Sequence, residues 1–214
     1  MKSKTLLWAP FALAAIGIGV YPLKYYIVDM HGRGLWASKT PELLANSAWH
    51  TAFYMHITFG GIAMLTGWTQ FSQKLRNRYL SVHRLVGKIY VASVMLSSIA
   101  GFYIAMFASG GITCMLGFGS LALCWLFTDI MAYTSIIKRR FKDHENWMIR
   151  NYALTFAAVT LRIYLPLSQM AHIDFLSAYR VISWICWVPN LLIAGIIISK
   201  RAGIPVQVPM PSKG

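Results

Sequence analysis

Six runs of about 20 apolar residues, divided by short polar connections, limit this chain to very few folds. Each run is long enough to cross the hydrocarbon core as a helix. In lipid a backbone must satisfy its own hydrogen bonds, so helices are the expected form. The expected fold class is therefore all-α: a polytopic membrane helix bundle of six transmembrane helices. They are expected at about 5–28, 48–70, 84–107, 112–137, 146–169 and 179–199. Only 12% of the 214 residues are charged, against about 25% in an ordinary soluble domain. The length suits one transmembrane domain, 1–204, followed by a short Pro-rich tail, 205–214. The opening MKSKTLLWAPFALAAIGIGV also resembles a signal peptide, with a weak cleavage pattern at Ala12-Leu13-Ala14. The apolar run continues well beyond that point, so the first span is expected to be retained.

The formal net charge is +14. On a soluble protein that excess would suggest nucleic acid, but here the basic residues sit in short clusters between apolar runs, so no nucleic-acid partner is expected. The clusters are Lys2 and Lys4, SQKLRNRYLSVHR with Lys88, KRRFKDHENWMIR, and Lys200, Arg201 and Lys213. Together they hold 15 of the 20 Lys and Arg residues. The remaining connections hold few. The positive-inside rule then places both termini and both basic connections in the cytoplasm, with the bundle in the cell inner (cytoplasmic) membrane and lipid as its first partner. The basic runs also suit anionic headgroups. No internal repeat or inverted symmetry is visible, which disfavours the repeat-built transporter folds. Cys114, Cys124 and Cys186 all lie inside apolar runs, odd in number and without CxxC, and read as small buried hydrophobes.

Several of these greasy helices carry polar stripes. At 100° per residue, His144, Met148, Asn151, Thr155, Ala158 and Arg162 share one face of the fifth span, with His144 and Arg162 about 27 Å apart. The second span aligns His56, Gly60, Ala63, Gly67 and Gln70. The third aligns His83, Gly87, Tyr90, Ser97 and Gly101. The fourth sets Asp129 with Ala122, Trp125 and Tyr133. Such stripes are expected to face protein or a water cavity, since lipid leaves polar groups unsatisfied. The first and last spans lack one and are expected to flank the core. His56 and Arg162 fall at one depth in the outer half, and Arg162 is expected to face His56. His83 and His144 fall together at the inner interface. Arg84, Lys88 and Arg150 are candidate partners for Asp129. Arg150 lies close enough to the interface to snorkel, and His144 fits the first turn of a helix capped by Asp143. His31, His50 and His172 read as surface histidines near outer connections.

Three stretches together, HITFGGIAMLTGWTQF (56–71), LRNRYLSVHRLVGKIYV (75–91) and DHENWMIRNYALTFAAVTLR (143–162), resemble DUF2306, a family of uncharacterised bacterial integral membrane proteins. The shared pattern is a histidine opening a Gly-rich span that ends in Gln-Phe, then HR with a nearby Gly and Tyr, then D-H-x-x-W-M-x-R and a closing Leu-Arg. The resemblance implies that His56, Gln70, His83, Arg84, His144, Arg150 and Arg162 are the positions of interest. It implies no activity.

Three functions fit these residues. The first is electron transfer through a b-type haem, haem b. His83 and His144 would be its axial pair and metal ligands, and Arg84, Arg150 and Lys88 would meet the propionates. A lipid-soluble quinone or a redox protein would then be the electron partner. A second haem would need His56 with His50 or His172, whose depths agree poorly. The next is binding or transport of a small anionic or proton-linked substrate at His56 and Arg162, with Asn151, Thr155 and Gln70 along the path and Asp129 as proton carrier. The last is a metal-assisted membrane enzyme or a structural subunit of a larger complex, with His83, His144 and Asp143 or Glu145 holding a metal, though no HExxH is present.

Overall fold

The computed structural model describes residues 2–29 and 34–202, and among them every regular element is helical. The Pro-rich tail, His31, Arg33 and Lys213 lie outside the described residues. The chain opens with α1 (Lys2–Val20), a 3-10 turn at Tyr21–Leu23 and the single turn α2 (Lys24–Ile27). Pro22 accounts for the 3-10 turn, because it has no N–H to return to the carbonyl of Ile18. A short α3 (Pro41–Leu44) starts where the Thr40 side chain accepts from the Leu43 N–H. It leads into α4 (Ser47–Gly67), capped by the Asn46 side chain on the Trp49 N–H at 3.0 Å. Ser72 caps α5 (Gln73–Arg78) in the same way. Next come α6 (Leu80–Ala105) and α7 (Ile112–Ile137), joined by a turn in which Gly110 and Gly111 take φ of 97° and 73°, a region open to glycine. The chain ends with α8 (Phe141–Thr155), α9 (Ala157–Met170), α10 (Phe175–Ile185), capped by Asp174, and α11 (Val188–Ala202).

Four stretches are long and apolar enough to cross a membrane: Pro10–Ile27, Leu80–Ala105, Ile112–Ile137 and Phe175–Arg201. At 26 residues, α6 and α7 each extend about 39 Å, beyond the roughly 30 Å of a hydrocarbon core. The helix α4 and the α8–α9 pair, also expected to cross, are not among the four. They hold His50, His56, Arg150, Asn151 and Arg162, which dilute their hydropathy. On α7, Leu116, Leu123, Phe127, Ile130 and Ile137 form one exposed apolar stripe. Cys114, Ala122, Trp125, Asp129 and Ala132 form the buried side.

Several boundaries differ from those read from the sequence. The expected span 146–169 begins at Phe141 and is divided into two helices by a turn at Phe156. The expected span 179–199 is interrupted at Cys186 and Trp187, where Pro189 offers no N–H to the Ile185 carbonyl. The Cys186 carbonyl there accepts from the Thr160 hydroxyl and from Asn190 Nδ2. This is how a broken helix stays satisfied in lipid. The second basic connection shrinks to 138–140, with Arg139 at φ 56°, and Lys142 to Arg150 are helical.

The core is built in sequence order. α4 lies on α6, α6 on α7, and α7 on α8, with α1 against α4, α10 against α7 and α11 against α8. Close approach depends on glycine. A Cβ on Gly61 would stand 2.6 Å from the Gly19 carbonyl, and one on Gly67 would stand 2.4 Å from the Tyr152 ring.

Candidate functional site

The centre of the bundle is a closed polar network between α6, α7 and α8. Tyr90, Trp125, Thr128, Asn151 and Thr155 are all buried. The Tyr90 hydroxyl donates to Asn151 Oδ1 and lies 2.9 Å from Thr155 Oγ1. Asn151 Nδ2 donates to the Trp125 carbonyl and to Thr128 Oγ1, each at 2.9 Å, and Trp125 Nε1 donates to Thr155 Oγ1 at 2.9 Å. Each of these side chains is satisfied, so the network reads as glue between helices. The Tyr152 hydroxyl extends it to the Met64 carbonyl of α4.

The expected stripes of α4 and α6 do face each other. His56 Nδ1 is 2.9 Å from the Ser97 carbonyl, Ser97 Oγ donates to the His56 carbonyl at 2.8 Å, and the imidazole fills the space that a Cβ on Gly101 would take. Gln70 lies beside Gly87, and Gly60 beside Ser97. Arg162 stands within electrostatic reach of His56. Its guanidinium lies 4.5 Å over the Tyr21 ring and donates to the Ala158 carbonyl at 3.0 Å. The first span, expected only to flank the core, supplies that ring. No periodic pattern marks Tyr21, because it sits in the turn caused by Pro22.

At the other end, His83 on α6 and His144 on α8 are close enough for charge on one to act on the other, with Arg76 and Arg84 beside His83. His144 Nδ1 is 2.9 Å from the Ala132 carbonyl of α7. That contact orients the ring and leaves Nε2 as the nitrogen open to a ligand. His83 Nδ1 is buried with no hydrogen-bond partner among the described residues. Further along, α6 and α8 meet through the side chains of Tyr90, Asn151 and Tyr152 and not through closely packed backbones. Arg84 and Lys88 are exposed on α6. Arg150 lies along its own helix, 4.9 Å over Trp147 and on the Asn146 carbonyl, turned to the edge of the bundle. For a haem, two imidazoles from different helices are the donor type required, with the exposed Arg84 and Lys88 on α6 as cations for its propionates. For a metal-assisted enzyme the set is poorer. Asp143 is engaged by Arg140 at 3.7 Å and Glu145 by Arg76, and no three His, Cys, Asp or Glu residues converge among the described residues. Asp143 also does not cap α8; it lies inside the first turn, after Arg140.

Three further expectations need correction. Asp129 is fully buried and pairs with none of Arg84, Lys88 and Arg150; neither carboxyl oxygen has a hydrogen-bond partner among the described residues. Tyr133, placed on its face by periodicity, is 45% exposed, and Thr128, Ala132 and Ser135 fill the inner side instead. His50 is not a plain surface histidine but sits among the Trp36, Trp49 and Tyr54 rings. All three cysteines are free, and Cys114 and Cys186 are buried.

A family model described as "Predicted membrane protein (DUF2306)" matches residues 53–198, more than half of the chain. The match covers His56, His83, Asp129, His144 and Arg162. No curated protein matches, and no solved structure matches.

Proposed function

We infer that this chain, which belongs to the DUF2306 family of predicted membrane proteins, is a six-span electron-transfer protein that holds haem b between His83 and His144. The spans are Pro10–Ile27, α4, α6, α7, the α8–α9 pair and Phe175–Arg201. The positive-inside rule sets both termini and the His83/His144 end in the cytoplasm, and the bundle in the cytoplasmic membrane.

One observation carries the reading. Two histidines from different helices lie within electrostatic reach of each other at one end of the bundle, one oriented through Nδ1 by a backbone carbonyl and the other with a buried ring nitrogen that has no hydrogen-bond partner among the described residues. A bound haem supplies a one-electron iron couple. The chain's own residues do the rest. The Ala132 carbonyl orients the His144 ring, Arg84 and Lys88 would offset the propionate charge, and the Tyr90–Asn151 network ties α6 to α8. A quinone in the bilayer or a redox protein is the fitting electron partner. The anion reading for His56 and Arg162 is weaker, because both groups already have protein partners.

The test is the absorption spectrum of protein purified from cells supplied with haem. Sharp reduced-state bands are expected, and His83→Ala and His144→Ala should each remove the same species, since both bonds serve one iron. A colourless wild-type protein, or loss in one variant alone, rejects the pairing.

A further inference from the structure

Asp129 has no place in the haem reading, and its surroundings ask for one. It is 0% exposed within α7, and both carboxyl oxygens lack a donor among the described residues. A carboxylate offers about four lone-pair sites, and burying it with neither donors nor a counter-charge is among the costliest arrangements a protein can hold.

The groups that face it from each packed helix do not remove that cost. From α6, the Tyr90 hydroxyl is within electrostatic reach but donates to Asn151. Lys88 and His83 lie toward the start of that helix, and Lys88 is exposed. From α8, His144 turns to the Ala132 carbonyl, Tyr152 to Met64, and Arg150 to Trp147. From α10, Tyr179 meets Phe118 and Arg180 meets Gly110, at the far end of α7. None of them forms an ion pair or hydrogen bond with Asp129. The nearby network is closed and has no donor to spare. Two more polar groups in the same half, Ser135 Oγ and His83 Nδ1, are also buried without partners. Such atoms are what ordered water needs, at two to four per molecule.

We propose that Asp129 is an exchangeable proton-binding site inside the bundle, neutral at rest, one helical turn from the carbonyl that orients His144. The step is a plain proton transfer. The Oδ–H bond breaks, the proton passes to a hydrogen-bonded water, and the carboxylate is recharged by a proton returning along the same water; no electron moves. The proposal uses only the bundle's own groups, so it stands with or without haem.

The chain's composition makes the experiment clean. There are only six acidic residues. Asp29, Glu42, Asp143, Glu145 and Asp174 are all exposed, so Asp129 is the one buried carboxyl to which a carboxylic-acid carbonyl stretch would be assigned. Infrared spectra of the protein in lipid bilayers at neutral pH should show one such band, absent from Asp129→Asn. The band should shift within minutes of transfer to deuterated buffer and fade reversibly in alkali. If the Asn variant does not fold, Asp129→Glu keeps the acid and moves its frequency, giving the same assignment. No acid band at neutral pH overturns the proposal, and a band that then appears when sodium and potassium are withdrawn identifies a cation site instead. A band that never shifts in deuterated buffer also overturns it, because the acid is then a sealed structural group.

Discussion

Asn151 holds more of the interior together than any charged residue, because one amide side chain reaches Tyr90, Trp125 and Thr128 on two other helices. Interhelical hydrogen bonds in lipid average about 0.6 kcal/mol each, and the strongest reach about 1.7. Asn151→Leu keeps the volume and removes all three contacts, so it should lower the unfolding free energy in bilayer-mimetic micelles by about 1–3 kcal/mol. Arg150→Gln, which loses only an edge contact over Trp147, should cost less than that; equal losses would mean the network is not the glue described. Lys39 offers a pH-dependent counterpart outside the spans. Burial lowers its ammonium to about 8, and its Nζ donates to the Phe107 carbonyl at 2.5 Å. The folded form therefore sheds this proton before the unfolded chain does. From about pH 8 to the ordinary lysine range the unfolded state binds more protons, so stability should rise with pH across that window. The slope of Tm against pH should flatten in Lys39→Gln, and an unchanged slope would show that the amine is not buried in solution.

At the scale of elements, glycine decides which helices can approach. Gly67 lies beneath Tyr152 and Tyr90, with ring atoms 2.4 and 2.5 Å from where a Cβ would be. Neither ring can yield, because each hydroxyl is tied to a neighbouring helix. Gly67→Ala should therefore destabilise by about 1–3 kcal/mol and loosen α4 from the bundle, seen as faster amide exchange along α4. Gly17, which has nothing within 4 Å of its Cβ position, should accept alanine without loss. These contacts also show what could be read beforehand. The α4 and α6 stripes were legible because small and polar residues recur at helical spacing, and His56, Gly101, Gly60 and Ser97 meet as that spacing requires. The turn at Phe156 was not legible, since no Gly or Pro marks it; Thr155 and Thr160 each bond back to their own helix backbone, which periodicity does not register. Pro22 and Pro189 were visible, but their effect depends on whether a neighbouring side chain can satisfy the freed carbonyl. The isolation of Asp129 was hidden for a different reason. Sequence depth placed cations at its level, but Arg150 turns to Trp147, and Lys88 is exposed.

At the scale of the whole molecule, tertiary contacts sort the connections into two ends before any charge rule is applied. Ser38 meets Ser109 at 2.9 Å, Lys39 donates to Phe107, and Arg180 Nε donates to the Gly110 carbonyl at 3.0 Å. These contacts gather the connections before α4, after α6 and before α10 at one end. Arg76 pairs with Glu145, and His83 and His144 approach each other, which gathers the connections before α6 and before α8 at the opposite end. The second end holds Lys74, Arg76, Arg78, Arg84, Lys138, Arg139, Arg140 and Lys142, while the first holds Lys24, Lys39 and Arg180 among the described residues. Insertion retains Lys and Arg on the cytoplasmic side, so the His83/His144 end is expected there. Reporter fusions after Lys138 and after Ala108 should then mark cytoplasm and exterior respectively, and single cysteines at Ser38 and Ser109, in a background lacking the three native ones, should react with an impermeant thiol reagent from the same, outer face. Both fusions on one side would break the six-span reading. The fusion sides exchanged would keep the bundle and reverse its orientation, moving the proposed haem to the exterior face. Two labels on different faces would contradict the Ser38–Ser109 contact itself.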